Sequence, residues 1–180
     1  MKRRLFLSFP LLLPSLAGNT KIPRAGNGFK VPAGKDRYDN DLHYLGARLD
    51  CKVSSKDSEG DQCIYELSTT EKSGPPFHIH YSQDEWFYVI RGEFMFKIGH
   101  EMFYLKPGDS AFGPRKMPHS YTKTSNGDAQ LLMCYQPAGS IELFFREASR
   151  LQHSSDQDMQ PIFRKHGMDI LGPPLRNGEV

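Results

Sequence analysis

Three histidines and one glutamate lie close together in the middle of this sequence, in a pattern that limits both the fold and the chemistry. His78 and His80 are separated by a single residue, and residues i and i+2 of a β-strand point to the same face. Both imidazoles are therefore predicted on one side of a strand. Glu85 follows a polar turn, which lets its carboxylate face back toward the two rings. His119 belongs to a later predicted strand, after a cluster of glycine and proline.

This set of side chains predicts a metal site. Borderline divalent transition metals prefer imidazole nitrogens and carboxylate oxygens, so we expect one Mn, Fe, Co, Ni, Cu or Zn ion held by His78, His80, Glu85 and His119. Four protein ligands on an octahedral ion leave about two positions for water or substrate, which is typical of a catalytic site. Taken singly, each residue has an ordinary alternative, an exposed carboxylate or a surface or core histidine. Spacing, turn residues and strand pattern agree on the metal site.

The surrounding sequence has the pattern of short β-strands. Residues 86–90 are aromatic and β-branched, residues 94–98 alternate before a Gly turn, and residues 102–105 return. Strands of this length and spacing predict an all-β fold, either a β-sandwich or a jelly-roll barrel. A helical period at 141–148 and a second helical segment from Met159 to Gly167 predict a short C-terminal helical tail.

The central segment resembles the two-motif signature of the cupins. The first motif is matched, with a shorter first spacer than the family pattern, by Gly74, His78, His80, Glu85 and Gly92. The second motif is matched, with Lys123 where the family has Asn, by Gly99, Pro107, Gly108, Asp109, Pro118 and His119. The resemblance is to small single-domain cupins, including those similar to quercetin (flavonol) 2,3-dioxygenases.

This resemblance implies a double-stranded β-helix over residues 29–145, followed by a tail at 146–180. It also implies a homodimer and a metal-dependent dioxygenase of the flavonol-cleaving type, in which Glu85 is both a ligand and the catalytic base that takes the substrate's hydroxyl proton. Two other functions stay open for the same site. One is a non-catalytic cupin that binds or senses a metal or small ligand, and the other is an isomerase or decarboxylase acting on a sugar or organic acid.

Strand parity predicts which side chains line a pocket beside the metal. If Glu85 points inward, Phe87 does so too, and the inward position of His119 brings Tyr121 with it. Phe94 and Phe96 are expected on the opposite wall. A pocket with these aromatic walls suits a flat, apolar small molecule, such as an aromatic one. The alternative is that these rings simply fill the core of the barrel.

The N-terminus predicts export. Residues 1–17 combine basic residues, a short apolar run and a small-residue cleavage site, as in a secretory signal, and also partly match a twin-arginine signal. Residues 18–28 are a flexible lead-in. The apolar run is too short for a spanning helix, so no stable membrane anchor is expected. A periplasmic or secreted protein follows, and the alternative is a cytoplasmic protein with a disordered basic start.

Bulk charge and cysteine content exclude two classes of protein. The formal net charge is +2, which gives no electrostatic reason to expect nucleic-acid binding. The three cysteines are too few for a disulfide scaffold. Cys51 and Cys63 flank a polar turn, so in an oxidising compartment they are a candidate disulfide, and the alternative is two free thiols.

Overall fold

A computed structural model describes residues 26–151 and 155–176 of the chain. Within these residues there are eleven strands and two helices. The strands are β1 (His43–Tyr44), β2 (Ala47–Val53), β3 (Cys63–Thr69), β4 (Pro76–His80), β5 (Asp84–Arg91), β6 (Phe94–Ile98), β7 (Glu101–Leu105), β8 (Ser110–Gly113), β9 (His119–Lys123), β10 (Ala129–Gln136) and β11 (Met168–Pro174). The helices are α1 (Ile141–Ala148) and α2 (Asp156–Lys165).

The strands form two antiparallel sheets that share one core. The six-stranded sheet has the order β1-β2-β3-β10-β5-β8, and the five-stranded sheet has the order β11-β4-β9-β6-β7. Strands that are neighbours in a sheet are often distant in sequence, as in a jelly roll. The predicted all-β barrel with a helical C-terminal segment is therefore confirmed.

Alternation along the strands separates the core from the surface. On β5, Glu85, Phe87 and Val89 are buried while the residues between them are exposed or half-buried. The inward rings of neighbouring strands pack on one another, with centroids 4.9 Å apart for Phe87 and Phe96 and 5.3 Å apart for Phe96 and Tyr121. These distances are those of favourable aromatic pairs. The aromatic positions of β5, β6 and β9 therefore build a continuous core beside the carboxylate of Glu85.

The chain after the barrel motif is more ordered than the sequence pattern indicates. Helix α1 has the predicted bounds, but α2 begins three residues before the predicted Met159. The cause is a capping box, in which the Ser155 side chain accepts from the Asp158 backbone N–H and the Asp158 carboxylate accepts from the Ser155 backbone N–H. The chain then returns as β11, which pairs with β4 and so completes the five-stranded sheet.

Two further predictions concern the N-terminal segment and a disulfide bond. The predicted signal at 1–17 and the first part of the lead-in lie outside the described residues, within which no helix is both long and apolar enough to cross a membrane. Cys51 and Cys63 are buried free thiols. Contact with the Cys51 thiol, burial and the nearby Glu142 carboxylate all raise the pKa of the Cys63 thiol, so this sulfur is held in the protonated form.

One glycine in the fold cannot carry a side chain. A Cβ added to Gly74 would lie 1.7 Å from the backbone oxygen of Tyr121. We therefore expect Gly74→Ala to force β9 away from the loop between β3 and β4, in which Gly74 lies. This should lower the free energy of unfolding by about 3 kcal/mol. Urea denaturation measures this as a lower midpoint at unchanged slope.

The matched control is Gly28→Ala. An added Cβ at Gly28 has no heavy atom within 4 Å, so its unfolding free energy should stay within about 0.5 kcal/mol of the parent protein. Equal stability of the two variants would contradict the close approach at Gly74.

Candidate metal centre

Three strands bring the four predicted ligands to one point inside the barrel. His78 and His80 lie on β4, Glu85 near the start of β5, and His119 at the first residue of β9, directly opposite His78 in the β4–β9 pairing. All four side chains are buried, and one ligand atom from each lies within 4.8 Å of the others. The structure thus brings together the residues that sequence spacing selects.

The hydrogen bonds of the three imidazoles fix which nitrogen faces inward. In each ring, Nδ1 contacts an oxygen that can only accept a hydrogen bond, so Nδ1 carries the proton and donates it. The contacts are His78 Nδ1 to Pro76 O at 2.8 Å, His80 Nδ1 to Gln83 Oε1 at 2.9 Å, and His119 Nδ1 to Met117 O at 3.0 Å. The Nε2 atoms of His78 and His80 therefore present unshared electron pairs to the centre of the site, and Nε2 of His119 faces the Glu85 carboxylate there.

The inward atoms have the separations of ligands around one ion. Nε2 of His78 lies 3.2 Å from Nε2 of His80, while Glu85 Oε2 lies 3.0 Å from His119 Nε2 and 3.5 Å from His80 Nε2. Two ligands about 2.1 Å from an octahedral ion and at right angles to each other would be about 3.0 Å apart. Two inward electron pairs at 3.2 Å repel each other without a cation between them. The donor set therefore fits a single divalent transition metal ion.

Burial holds the site in the protonation state that a metal requires. Desolvation lowers the pKa of His78 well below its ordinary value and that of His80 to about 4, although the Glu85 charge partly opposes the change at His80. Burial alone would raise the pKa of Glu85, but its hydrogen bond to His119 and the nearby imidazoles lower it overall. Neutral imidazoles and an ionised carboxylate are the metal-binding forms of these groups.

A cavity opens beside the ligands, and its wall is mostly apolar. Water molecules can occupy about 40 Å³ of it, which is room for a few waters. Its wall contains His78, His80 and Glu85 and, from other parts of the chain, Tyr44, Leu45, Leu49, Leu67, Tyr121, Met133, Tyr135, Ile141, Phe144, Phe145, Phe163 and Met168. None of the described residues in this wall is a lysine or an arginine.

The predicted pocket residues have different positions in the structure. Tyr121 lies on the cavity wall, whereas Phe87, Phe94 and Phe96 are fully buried in the aromatic core and are not part of that wall. Phe87 packs edge-on against the His119 ring at 6.0 Å, so it supports a ligand instead of facing the cavity. Parity identified the inward face correctly, but it does not distinguish the mouth of a barrel from its closed core.

Sequence reasoning missed Tyr135, which lies next to the carboxylate. Tyr135 pairs with Glu85 in the β10–β5 register, and both side chains lie in the cavity wall. Burial, together with the Glu85 charge, raises the pKa of Tyr135 well above its ordinary value, so the hydroxyl stays protonated. The signal was available in the alternation of β10, where Leu131, Met133 and Tyr135 share the inward face.

Lys123, the position that departs from the cupin pattern, is also accounted for. Its side chain is completely buried, and Nζ donates to the backbone oxygens of Thr70 at 3.0 Å and Ser125 at 2.7 Å. It ties β9 to two neighbouring loops and does not join the cavity wall. The departure leaves the ligand set unchanged.

The barrel and its buried cluster define a class of protein, a jelly roll with one internal site that fits a metal ion. Residues 65–135 match the family profile of the cupin domain. An RmlC-like cupin from Shewanella frigidimarina has the same fold, with a TM-score of 0.51 and 15% identity over 63% of this chain and 93% of that one. The chain therefore has the fold of a small cupin, and residues 65–135 are similar to the cupin domain.

Two further relatives show how far the similarity extends. A 65-residue stretch is 32% identical to an uncharacterized protein of Methanocaldococcus jannaschii, covering 36% of this chain and 52% of that protein, so the chain spans about half the length of this relative. A predicted oxalate decarboxylase from Thermotoga maritima is 21% identical, with a TM-score of 0.48 over 51% of this chain and 80% of that chain.

Loss of one ligand should remove the metal. We expect His80→Ala to weaken metal binding at least about 100-fold, more than the loss of an outer hydrogen bond to a ligand. Circular dichroism should still show a folded barrel. Chelator competition with Zn or Co measures the affinity, and His100→Ala, at an exposed turn, is the control that should bind like the parent protein. Full metal occupancy in the His80→Ala variant would show that His80 is not a metal ligand.

The metal-free site should make stability depend on pH. The pKa of His80 is about 4 in the folded state against 6.5 ordinarily, so between these values the unfolded chain binds more protons. The free energy of unfolding should therefore fall as the pH falls through this window, by about 3 kcal/mol from His80 alone. Urea unfolding of chelator-treated protein from pH 4 to 8 measures the slope, and a flat profile would contradict the neutral, buried histidine.

Proposed function

We propose that this cupin is a metal-dependent dioxygenase that acts on a small, uncharged, hydroxylated aromatic substrate of the flavonol type. The observation that supports this most is the composition of the cavity wall. The metal ligands form one side, and the described residues of the other sides are mainly aromatic and aliphatic. Such a wall binds a flat apolar body and leaves the metal ligands to orient a single polar group.

The same wall disfavours the two other enzymatic functions. An organic acid or a sugar phosphate brings a negative charge into a buried site, and the charge needs arginine, lysine or similar donors to offset its desolvation. The described wall offers neither side chain, and its own Glu85 is negative. A neutral substrate whose hydroxyl becomes anionic at the metal avoids this cost, because the metal supplies the positive charge.

Glu85 is placed to handle the proton of such a hydroxyl. The bound metal would lower the pKa of the substrate hydroxyl and bring it together with oxygen. The contacts of Glu85 with His80 and His119 use Oε2, which leaves Oε1 to accept the proton. Tyr135 lies beside the same carboxylate, and its protonated hydroxyl places no second negative charge there while the proton moves. Phe144 and Phe145 form part of the apolar wall of the cavity beside the site.

The size of the cavity sets a further condition on the substrate. Space for a few water molecules does not accept a fused-ring compound, so a flavonol enters when wall elements move apart. Leu45, in the tight turn between β1 and β2, and Phe144 on α1 are wall residues from outside the central motif. We therefore include a movement of α1 relative to this turn in the proposed binding step.

Export from the cytoplasm and a homodimer stay predictions from the sequence and from the resemblance. Neither is needed for the chemistry above, because all four ligands and the described cavity wall come from one chain.

Oxygen uptake tests the proposed reaction. Protein reconstituted separately with Mn, Fe, Co, Ni, Cu and Zn would be mixed with a flavonol in an oxygen electrode. We expect uptake with one or two of these metals and a loss of at least about 100-fold in Glu85→Gln, which keeps the shape but not the basicity of the carboxylate. Metal analysis of the variant separates loss of the base from loss of the ion.

The opposite outcomes point to the other functions. Saturable flavonol binding with no uptake in any metal form would favour a sensing cupin. Turnover of an organic acid or a sugar phosphate without oxygen would favour a decarboxylase or an isomerase, and would contradict the proposal.

A further inference from the structure

Gln83 joins a metal ligand to the loop that leads into α1. Its Oε1 accepts from Nδ1 of His80 at 2.9 Å, and its Nε2 donates to the backbone oxygens of Pro137 at 2.8 Å and Ala138 at 2.7 Å. The side chain is at the limit of full burial, with 9% of its surface exposed. All three partners are fixed parts of the fold, so the amide connects two regions far apart in sequence.

The chemistry of these contacts requires an amide. His80 offers a proton, which needs an acceptor, whereas two carbonyl oxygens need donors, and glutamine supplies both in one planar group. Gly139 has a φ of +53°, and a Cβ there would lie 3.2 Å from Gln83 Nε2. The loop thus uses a glycine at the point where the amide approaches its backbone most closely.

The loop that contains Pro137 and Ala138 connects Gln83 to the wall of the cavity through α1. Ala138 O accepts from the backbone N–H of Ile141, the first residue of α1, at 3.3 Å. Three and four residues further on, Phe144 and Phe145 lie on the cavity wall. A short chain of hydrogen bonds therefore runs from the imidazole of His80 through Gln83 and Ala138 to the helix that covers the metal site.

We propose that Gln83 is a positioning residue that couples metal binding at His80 to the position of α1, and so to the shape of the substrate cavity. This inference rests on the metal site of the proposed function, but not on oxygen chemistry or on a particular substrate. When an ion fixes the His80 ring, the hydrogen bond at Nδ1 fixes the amide, and the amide holds the start of α1. Metal occupancy then sets the position of the α1 residues in the wall of the cavity that a substrate enters.

Two substitutions separate the two ends of this connection. Gln83→Leu removes all three hydrogen bonds and leaves a side chain of similar size. Gln83→Glu keeps an acceptor for His80 but replaces the donor to Pro137 and Ala138 with an oxygen that repels their carbonyls. The control is Glu142→Gln, because Glu142 ties the same helix to the turn at Ser54 and Ser55 without touching a metal ligand.

Two measurements on the full-length protein report on the two ends, and neither involves activity. Competition with a chelator gives the Co(II) dissociation constant. Hydrogen exchange of backbone amides, with and without saturating Co(II), gives the metal-dependent protection of residues 137–148. In the parent protein we expect Co(II) to slow exchange in this segment by about tenfold or more.

The expected pattern differs among the three variants. Gln83→Leu should bind Co(II) about 10- to 100-fold more weakly and lose the metal-dependent protection even at saturation. Gln83→Glu should bind Co(II) within about threefold of the parent protein and still lose the protection. Glu142→Gln should raise exchange in both states but keep the parent affinity and the parent ratio between them.

Three results would overturn the coupling: parent-like Co(II) affinity in Gln83→Leu, metal-dependent protection that persists in either Gln83 variant, or an equal loss of affinity in Glu142→Gln. If Gln83→Leu fails to fold, the protection measured in Gln83→Glu decides alone. Because no substrate or oxygen is present, a failed oxygen-uptake experiment leaves this result interpretable.

Discussion

The arrangement of the site depends on imidazole electron pairs that point at one another inside the buried part of the barrel. Nε2 of His78 and Nε2 of His80 face each other at 3.2 Å, and burial keeps both rings neutral near pH 7. Neutral rings do not relieve this repulsion by taking up a proton, whereas a bound metal cation would. The outward nitrogens are held by oxygens close by in sequence, for His78 and His119 by the carbonyl two residues earlier. Local backbone thus orients His78 and His119, the Gln83 side chain orients His80, and the sheets bring the ligands together.

The ligands could be predicted because their positions follow local rules. A one-residue spacing places two histidines on one face of a strand, and a turn before Glu85 reverses the chain. The bounds of α1 follow equally from its helical period. The start of α2 depends instead on the reciprocal capping of Ser155 and Asp158, which the periodicity does not contain. The pairing of β11 with β4 joins segments almost ninety residues apart, and no local pattern encodes it.

The residues of the cavity wall were harder to predict than the candidate metal ligands for a related reason. Parity shows that Phe94 and Phe96 point inward, but the depth of a residue along the barrel depends on how the two sheets are staggered. Those rings fill the core, while Phe144 and Phe163 on the C-terminal helices face the cavity. Long-range packing of the tail decides this part of the wall, so the central motif specifies the ligands and only part of what surrounds them.

This division has a consequence for how the site achieves selectivity. The ligands come from β4, β5 and β9, whereas much of the cavity wall comes from the start of the barrel and from α1, α2 and β11. A substitution at Phe145 or Leu49 changes the shape available to a substrate without touching a ligand. Gln83 is the exception, since it contacts both parts. In the proposed function, metal binding and substrate fit are thus assigned to separate residues, and the amide of Gln83 is the contact proposed to link them.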